Sequence, residues 1–250
     1  MITAVLIHGF SGSPESWRRV ADRLRVRTYA PAVCGHGTCA SVADSFETEV
    51  ERLAAEIRAA VPAPRYLAGY SLGGRLALGM LLGHADLFVG AAVVGANPGI
   101  DGEDEREARR TADEAWACLI EERGLEAFDR EWSNLPLFRS QQGLDAALVE
   151  EQRTIRLGHD SAALAAAMRT LSLGAMPDYR PALSAVACPV ELIAGGLDVK
   201  FSALAGQMAE YLPQGAVRLV DGVGHNVPLE APAELARLLN DAAGGRADRS

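Results

Sequence analysis

The sequence predicts an α/β fold, a mostly parallel sheet flanked by helices, and three observations carry that expectation. Short apolar runs alternate with helical patterns, as expected of strands buried on both faces and joined by helices. One run, Tyr66-Leu67-Ala68, passes through Gly69-Tyr70-Ser71-Leu72-Gly73 into a helical stretch, a sharp strand-to-helix turn that exposes a serine hydroxyl. From Asp101 to about Ala185 the strand signal disappears and only helical patterns remain. The expected division is therefore a core of residues 1–100 and 186–250, with a helical lid at 101–185 inserted after the strand ending near Gly95.

Ile2 to Ile7 is a continuous apolar run and the first strand. It ends in His8-Gly9-Phe10-Ser11-Gly12-Ser13, where Ser13 can cap a helix with Pro14 at its first position. Arg27 to Ala30 is a short strand, followed by the loop Pro31-Ala32-Val33-Cys34-Gly35-His36-Gly37. Phe46, Val50, Leu53, Ala54 and Ile57 recur at helical spacing, predicting an amphipathic helix over 45–61 with Glu47, Glu49 and Glu51 on a solvated face. After the serine turn and its helix, Leu87 to Val94 is the next buried strand. The insertion reads as helices over 103–123, 125–132, 144–157 and 161–173. Cys188 to Ala194 is a strand, 202–211 a helix, Val217 to Val220 the last strand and 233–243 the closing helix, with a frayed tail from Gly244.

Composition narrows the classes of function. The chain has 250 residues, 49% hydrophobic and 23% charged, which is ordinary for a globular protein with a full core. A net charge of -9 argues against nucleic acid and anionic membranes as partners, but not against a local basic pocket. The four cysteines, Cys34, Cys39, Cys118 and Cys188, lack C-x-x-C spacing and read as reduced thiols of a cytoplasmic protein, with no metal site. Met1 leads directly into a strand without the pattern of a signal peptide, and no run is long and apolar enough to span a bilayer.

Three residues carry the chemistry. Ser71 is the nucleophile-type serine, Asp198 follows the strand ending at Ala194, and His225 is in the glycine-rich loop after the last strand. In this order, with each after its own strand, they match a Ser-Asp-His triad. Asp221 is the rival acid, but it is too near His225 in sequence to reach the far ring nitrogen easily. His8 and His36 read as loop-ordering residues, since one histidine suffices as a base. The backbone N–H of Phe10 is a candidate for one half of an oxyanion hole, and the helix start behind Ser71 supplies further free N–H groups. Trp116, Trp132 and Phe138 either pack the insertion or line a pocket. Arg106, Arg109, Arg110, Arg153 and Arg156 on the insertion are either paired with nearby glutamates or turned inward to bind carboxylates.

The chain is thereby identified as a member of the α/β-hydrolase superfamily over nearly its full length. A narrower resemblance rests on Gly69-Tyr70-Ser71-Leu72-Gly73-Gly74-Arg75, Asn97-Pro98-Gly99-Ile100, the Arg-rich helix reaching Trp116, Trp132 through Leu135-Pro136-Leu137-Phe138, Asp198-Val199-Lys200-Phe201, and Gly224-His225-Asn226. In that order they resemble the 2-succinyl-6-hydroxy-2,4-cyclohexadiene-1-carboxylate (SHCHC) synthases of menaquinone biosynthesis. The resemblance implies Ser71, Asp198 and His225 as the triad, and Tyr70, Arg109, Arg156, Trp132 and Lys200 as substrate-binding residues, with Arg153 the fallback for Arg156. It also implies an oxyanion hole at Phe10 and Leu72, a small anionic substrate, no cofactor, and elimination of pyruvate rather than hydrolysis. The runner-up is a serine esterase, thioesterase or C–C bond hydrolase on the same triad. The chain departs from the family at Pro31-Ala32-Val33-Cys34, Gly196 and Pro228, in loops that flank the triad.

Overall fold

The structure, a computed structural model, describes residues 1–247. Its strands are β1 (Thr3–Ile7), β2 (Arg27–Tyr29), β3 (Arg65–Tyr70), β4 (Gly90–Val94), β5 (Val190–Gly195) and β6 (Gly215–Val220). All pair in parallel, in the order β2-β1-β3-β4-β5-β6. The register sets Ile7 beside Gly69, Tyr70 beside Val94 and Gly195 beside Val220, so the carboxyl ends of five strands form one edge. In an open α/β sheet this edge is where ligands bind.

The core helices are α1 (Arg18–Ala21), α2 (Phe46–Ala60) and α3 (Leu72–Gly83). Between β4 and β5 come α4 (Glu103–Trp132), α5 (Ala146–Leu157) and α6 (Ser161–Thr170), and the chain closes with α7 (Val199–Tyr211), α8 (Val227–Glu230) and α9 (Pro232–Ala247). One apolar cluster, including Leu53, Leu76 and Met208, fills the face under α2, α3 and α7. A second, including Trp17, Leu235 and Leu239, fills the opposite face. The insertion has its own core of Ala117, Ile120, Phe128, Leu164 and Met168, where α4 packs on α6. Among the described residues no helix is long and apolar enough to cross a membrane.

Several boundaries differ from expectation for identifiable reasons. α7 begins at Val199 rather than 202, because the Asp198 carboxylate accepts the Phe201 N–H at 3.2 Å and caps the helix. α4 is assigned through 132, yet Gly124 (φ 76°, ψ 176°) breaks it between the two expected helices. α6 stops at Thr170, where Ser172 turns its hydroxyl to Asp113 at 2.7 Å and accepts the Gly174 N–H at 3.0 Å. α9 continues to Ala247, past the expected fraying point at Gly244, and residues 248–250 of that tail lie outside the described residues.

Glu49 is a correction. Rather than lying on a solvated face it is fully buried, held by Arg52 at 2.7 Å and by the Cys34 N–H at 2.9 Å. Positions 46, 49, 50, 53 and 57 share one helical stripe, so the periodicity already put Glu49 on the buried side.

Candidate active site

The β3–α3 turn is built around Ser71, which has φ 52° and ψ -109°, a conformation that costs a non-glycine residue energy. The turn is possible because its flanks have no side chains. A Cβ on Gly69 would come within 2.2 Å of the Gly73 carbonyl oxygen, and one on Gly73 within 2.2 Å of the Ile7 carbonyl oxygen. The Ser71 N–H is tied to the Val94 carbonyl at 2.8 Å, which holds the hydroxyl over the sheet edge.

His225 Nε2 lies 3.2 Å from Ser71 Oγ, and its Nδ1 lies 2.8 Å from Asp198 Oδ2. The His225 and Asp198 side chains are almost fully buried, at 2% and 7% exposure. An ionised carboxylate can only accept, so Nδ1 carries the proton and Nε2 presents its lone pair to the serine. Phe201, Tyr70 and Phe138 surround the imidazole at centroid distances of 4.4, 5.4 and 6.2 Å. The Glu230 carboxylate accepts the N–H on each side of His225, from Gly224 at 2.8 Å and from Asn226 at 3.0 Å. Asp221 is exposed and makes no bond to His225. The N–H groups of Phe10 and Leu72 have no acceptor among the described residues.

Ser71 and His225 open into a cavity lined by Phe10, Tyr70, Trp132 and Phe138 and also by Arg75 and Arg109. Arg109 is bound through Nε to Asp113 at 2.8 Å, leaving its terminal nitrogens unbonded among the described residues. Arg75, one helical turn after Ser71, donates to the Leu171 carbonyl at 2.9 Å, with its guanidinium 5.7 Å from the Phe46 ring centroid. It has no carboxylate partner among the described residues. Burial, with Arg109 nearby, lowers its pKa to about 9, so it remains a cation at neutral pH. Arg75 stands at the end of the serine-turn motif, where the sequence alone assigns it no role. Its position in the first turn of the helix that follows Ser71 was the available signal.

Arg156 is buried and paired with Asp129, and it also donates to Ser133 Oγ at 2.8 Å and Ser11 Oγ at 3.3 Å. It lines a neighbouring cavity that shares the Phe10, Tyr70, Trp132 and Phe138 walls with the first. Tyr70 lines both, and burial holds the pKa of its phenol well above the usual value, so it is a neutral donor. Arg153 is half-exposed, beside Asp129 and Glu150, and lines neither cavity. Lys200 is exposed, its Nζ 5.8 Å from the Phe201 ring centroid, and likewise lines neither cavity. Arg110 pairs with Glu103 and Glu107, and Arg106 lies 3.9 Å from Glu103. Trp116 packs against Phe128 in the insertion, whereas Trp132 and Phe138 reach the cavity wall.

Three histidines support the loop carrying Phe10. His8 Nε2 accepts the Val33 N–H at 3.1 Å, and its Nδ1 faces the Gly9 carbonyl at 2.9 Å. His36 Nε2 accepts the Ser11 N–H at 3.1 Å. His159, which the sequence reading did not single out, accepts the Gly37 N–H at 2.9 Å and faces the Ser11 carbonyl at 3.1 Å. Every ring nitrogen named here is committed to backbone, so the structural role expected of His8 and His36 is what the structure shows. Burial lowers the His8 pKa to about 4 and also lowers those of His36 and His159. The native state therefore holds these rings neutral, while the unfolded chain takes up protons below about pH 6.5. The expected result is a stability that is full above pH 6.5 and falls steadily toward pH 4. His8 alone contributes on the order of 3 kcal/mol to that loss. Urea unfolding midpoints at pH 7.5, 6 and 5 check this, and a flat profile would refute it.

The arrangement is that of a serine-hydrolase-like enzyme: a partly buried serine lining a cavity, a histidine bonded to a buried acid, and N–H groups without acceptors among the described residues in the lining of the same cavity. The chain belongs to the alpha/beta hydrolase family, whose sequence profile matches residues 4–238. Within that family it is 34% identical over 232 residues to 2-succinyl-6-hydroxy-2,4-cyclohexadiene-1-carboxylate synthase of Klebsiella pneumoniae, covering 92% of this chain and 88% of the relative. The synthase of the same name from Salmonella typhimurium is 32% identical over the same shares, 92% and 88%. Among solved structures, MenH from S. aureus superposes with a TM-score of 0.91 at 27% identity, covering 95% of this chain and 91% of that one. A thermophilic esterase from Thermogutta terrifontis shares the fold, with a TM-score of 0.85 at 21% identity, covering 98% and 90%.

Proposed function

We propose that the chain is a cytoplasmic SHCHC synthase that eliminates pyruvate from 2-succinyl-5-enolpyruvyl-6-hydroxy-3-cyclohexene-1-carboxylate. The observation that carries this reading is the pair of guanidiniums, Arg75 and Arg109, in the wall of the cavity that holds Ser71. In a protein with a net charge of -9, Arg75 without a carboxylate partner and Arg109 with its terminal nitrogens unbonded among the described residues, both lining the Ser71 cavity, support an anionic substrate. The relatives that match along nearly the whole chain carry the same activity in their names.

In the reaction, His225 oriented by Asp198 draws the Ser71 proton onto Nε2, and the serine oxygen removes a proton from the ring carbon beside the succinyl ketone. A positioned base of this kind is worth about 10² to 10⁴ in rate. The N–H groups of Phe10 and Leu72 hold the enolate oxygen as its charge develops, each worth roughly 10² to 10³. Collapse of the dienolate breaks the carbon–oxygen bond across the ring, and the departing enolpyruvate takes up a proton to become pyruvate. Arg75 and Arg109 bind carboxylates in the Ser71 cavity. Tyr70, Trp132 and Arg156 shape and charge the adjoining chamber, whereas Lys200, outside both cavities, is left without a part in the reaction. Residues 101–185 act as the lid over both chambers.

The triad alone serves ester hydrolysis equally well, so the deciding experiment separates the two reactions. Incubation with the enolpyruvyl precursor should release pyruvate together with the ultraviolet absorbance of the conjugated diene, and intact-mass spectrometry should detect no acyl group on Ser71. Absence of diene formation, or an acylated Ser71 that turns over with water, would establish a hydrolase instead.

A further inference from the structure

The loop that departs from the family pattern contains a feature that the proposed reaction does not use. Cys34 Sγ and Cys39 Sγ lie 3.9 Å apart, and the Ser41 hydroxyl bonds to both, at 3.7 and 3.3 Å. The backbone brings them together: His36 and Cys39 form a β-bridge, and the Gly35 N–H donates to the Cys39 carbonyl at 2.8 Å. A disulfide needs its sulfurs at about 2.05 Å, so each must move by roughly 1 Å, within the reach of a side-chain rotation. Cys34 is 2% exposed, whereas Cys39 is partly exposed and can meet a solute.

This pair is wired to the reacting centre. The Cys34 carbonyl accepts from His36 Nδ1 at 2.9 Å, and the other nitrogen of that ring accepts the Ser11 N–H at 3.1 Å. The same ring lies edge-on to Phe10, with centroids 5.2 Å apart. A pull on Cys34 is therefore transmitted through one buried imidazole to the loop that presents the Phe10 N–H. Displacements of about 1 Å away from the chemistry can cost about 10² in rate.

We propose that Cys34 and Cys39 form an oxidisable dithiol whose closure to a disulfide displaces His36 and lowers reactivity at Ser71. The oxidant is a hydroperoxide. Its terminal oxygen is transferred to the Cys39 sulfur, giving a sulfenic acid and water or an alcohol. The Cys34 sulfur then bonds to the Cys39 sulfur, and the Cys34 proton leaves with the sulfenic hydroxyl as a second water. Overall, two thiols lose two hydrogens and the peroxide is reduced. A transient disulfide of this type is the kind a reducing compartment permits.

The test uses the full chain treated with hydrogen peroxide, then with dithiothreitol. Expected are an intact mass lower by two hydrogens, a peptide linking positions 34 and 39, and at least about a tenfold slower labelling of Ser71 by a fluorophosphonate. Dithiothreitol should restore the reduced rate. Cys39→Ser should label at the rate of the untreated protein before and after peroxide. The proposal is overturned if no 34–39 link forms, if the link forms with the labelling rate unchanged, or if Cys39→Ser is slowed equally by peroxide. The effect on Ser71 rests on the triad reading, and its failure is distinguishable: a reduced protein whose Ser71 never labels would count against the triad. The link itself is judged by mass alone.

Discussion

Ser71→Ala and His225→Ala are each expected to lower kcat by about three or more orders of magnitude, and the double variant to be little worse than either alone. The three groups form one chain of hydrogen bonds, from Asp198 at 2.8 Å through the imidazole to Ser71 at 3.2 Å. Removing any link leaves the others without a task, which is why triad losses do not add. Folding should survive, because the serine hydroxyl faces a cavity and fills no space in the core. The backbone at position 71 gives a second, independent readout. At φ 52° and ψ -109° a residue with a Cβ is strained, at a cost on the order of 1 kcal/mol or more. Ser71→Gly should therefore be as inactive as Ser71→Ala yet at least as resistant to urea. A Ser71→Ala protein that keeps most of its activity would refute the assignment of Ser71, whichever reaction is correct.

Arg75→Lys is expected to raise KM for the anionic substrate by about 10- to 100-fold, and Arg109→Lys to act in the same direction. The charge is conserved in both, but a lysine ammonium cannot make the two parallel hydrogen bonds with which a guanidinium clamps a carboxylate. Losing one charge-assisted bond of about 1.5 to 3 kcal/mol corresponds to that range. Arg75 should show the larger effect, because Arg109 already shares its charge with Asp113 at 2.8 Å. Turnover of a small neutral ester, if the protein has any, should hardly change. Arg156→Lys is a different experiment: it disturbs a buried pair with Asp129 and bonds to Ser11 and Ser133, so stability should fall together with activity. Steady-state kinetics with the enolpyruvyl precursor check the first two. Unchanged kcat/KM in both lysine variants would remove the anionic-substrate reading and leave an unspecified hydrolase.

What was legible from sequence alone is what local rules dictate. The glycine-flanked turn at Ser71, the apolar strand runs and the 3.6-residue periodicity of the helices are set by sterics and by which face must leave water. The order Ser71, Asp198, His225 was likewise readable, because each follows its own strand and parallel strands end on one edge. The hydrogen-bond distances among the three were not. Charged and polar side chains are where sequence reasoning stopped. Whether an arginine meets solvent, a carboxylate or a cavity depends on which distant segment covers it, and periodicity carries no information about that segment. Arg75 faces the cavity because residues around 168–173 close over it, whereas Lys200, two residues after Asp198, is turned outward by the first turn of its helix. His159 and the Cys34–Cys39 contact became visible only once loops that are unremarkable in sequence had been packed together. The sequence by itself determined the α/β scaffold and the kind of residue at each strand end, since those follow from local geometry and burial. Only the tertiary structure decided which cations, thiols and imidazoles share a cavity, because long-range packing sets the dielectric and the partners that give such groups their chemistry.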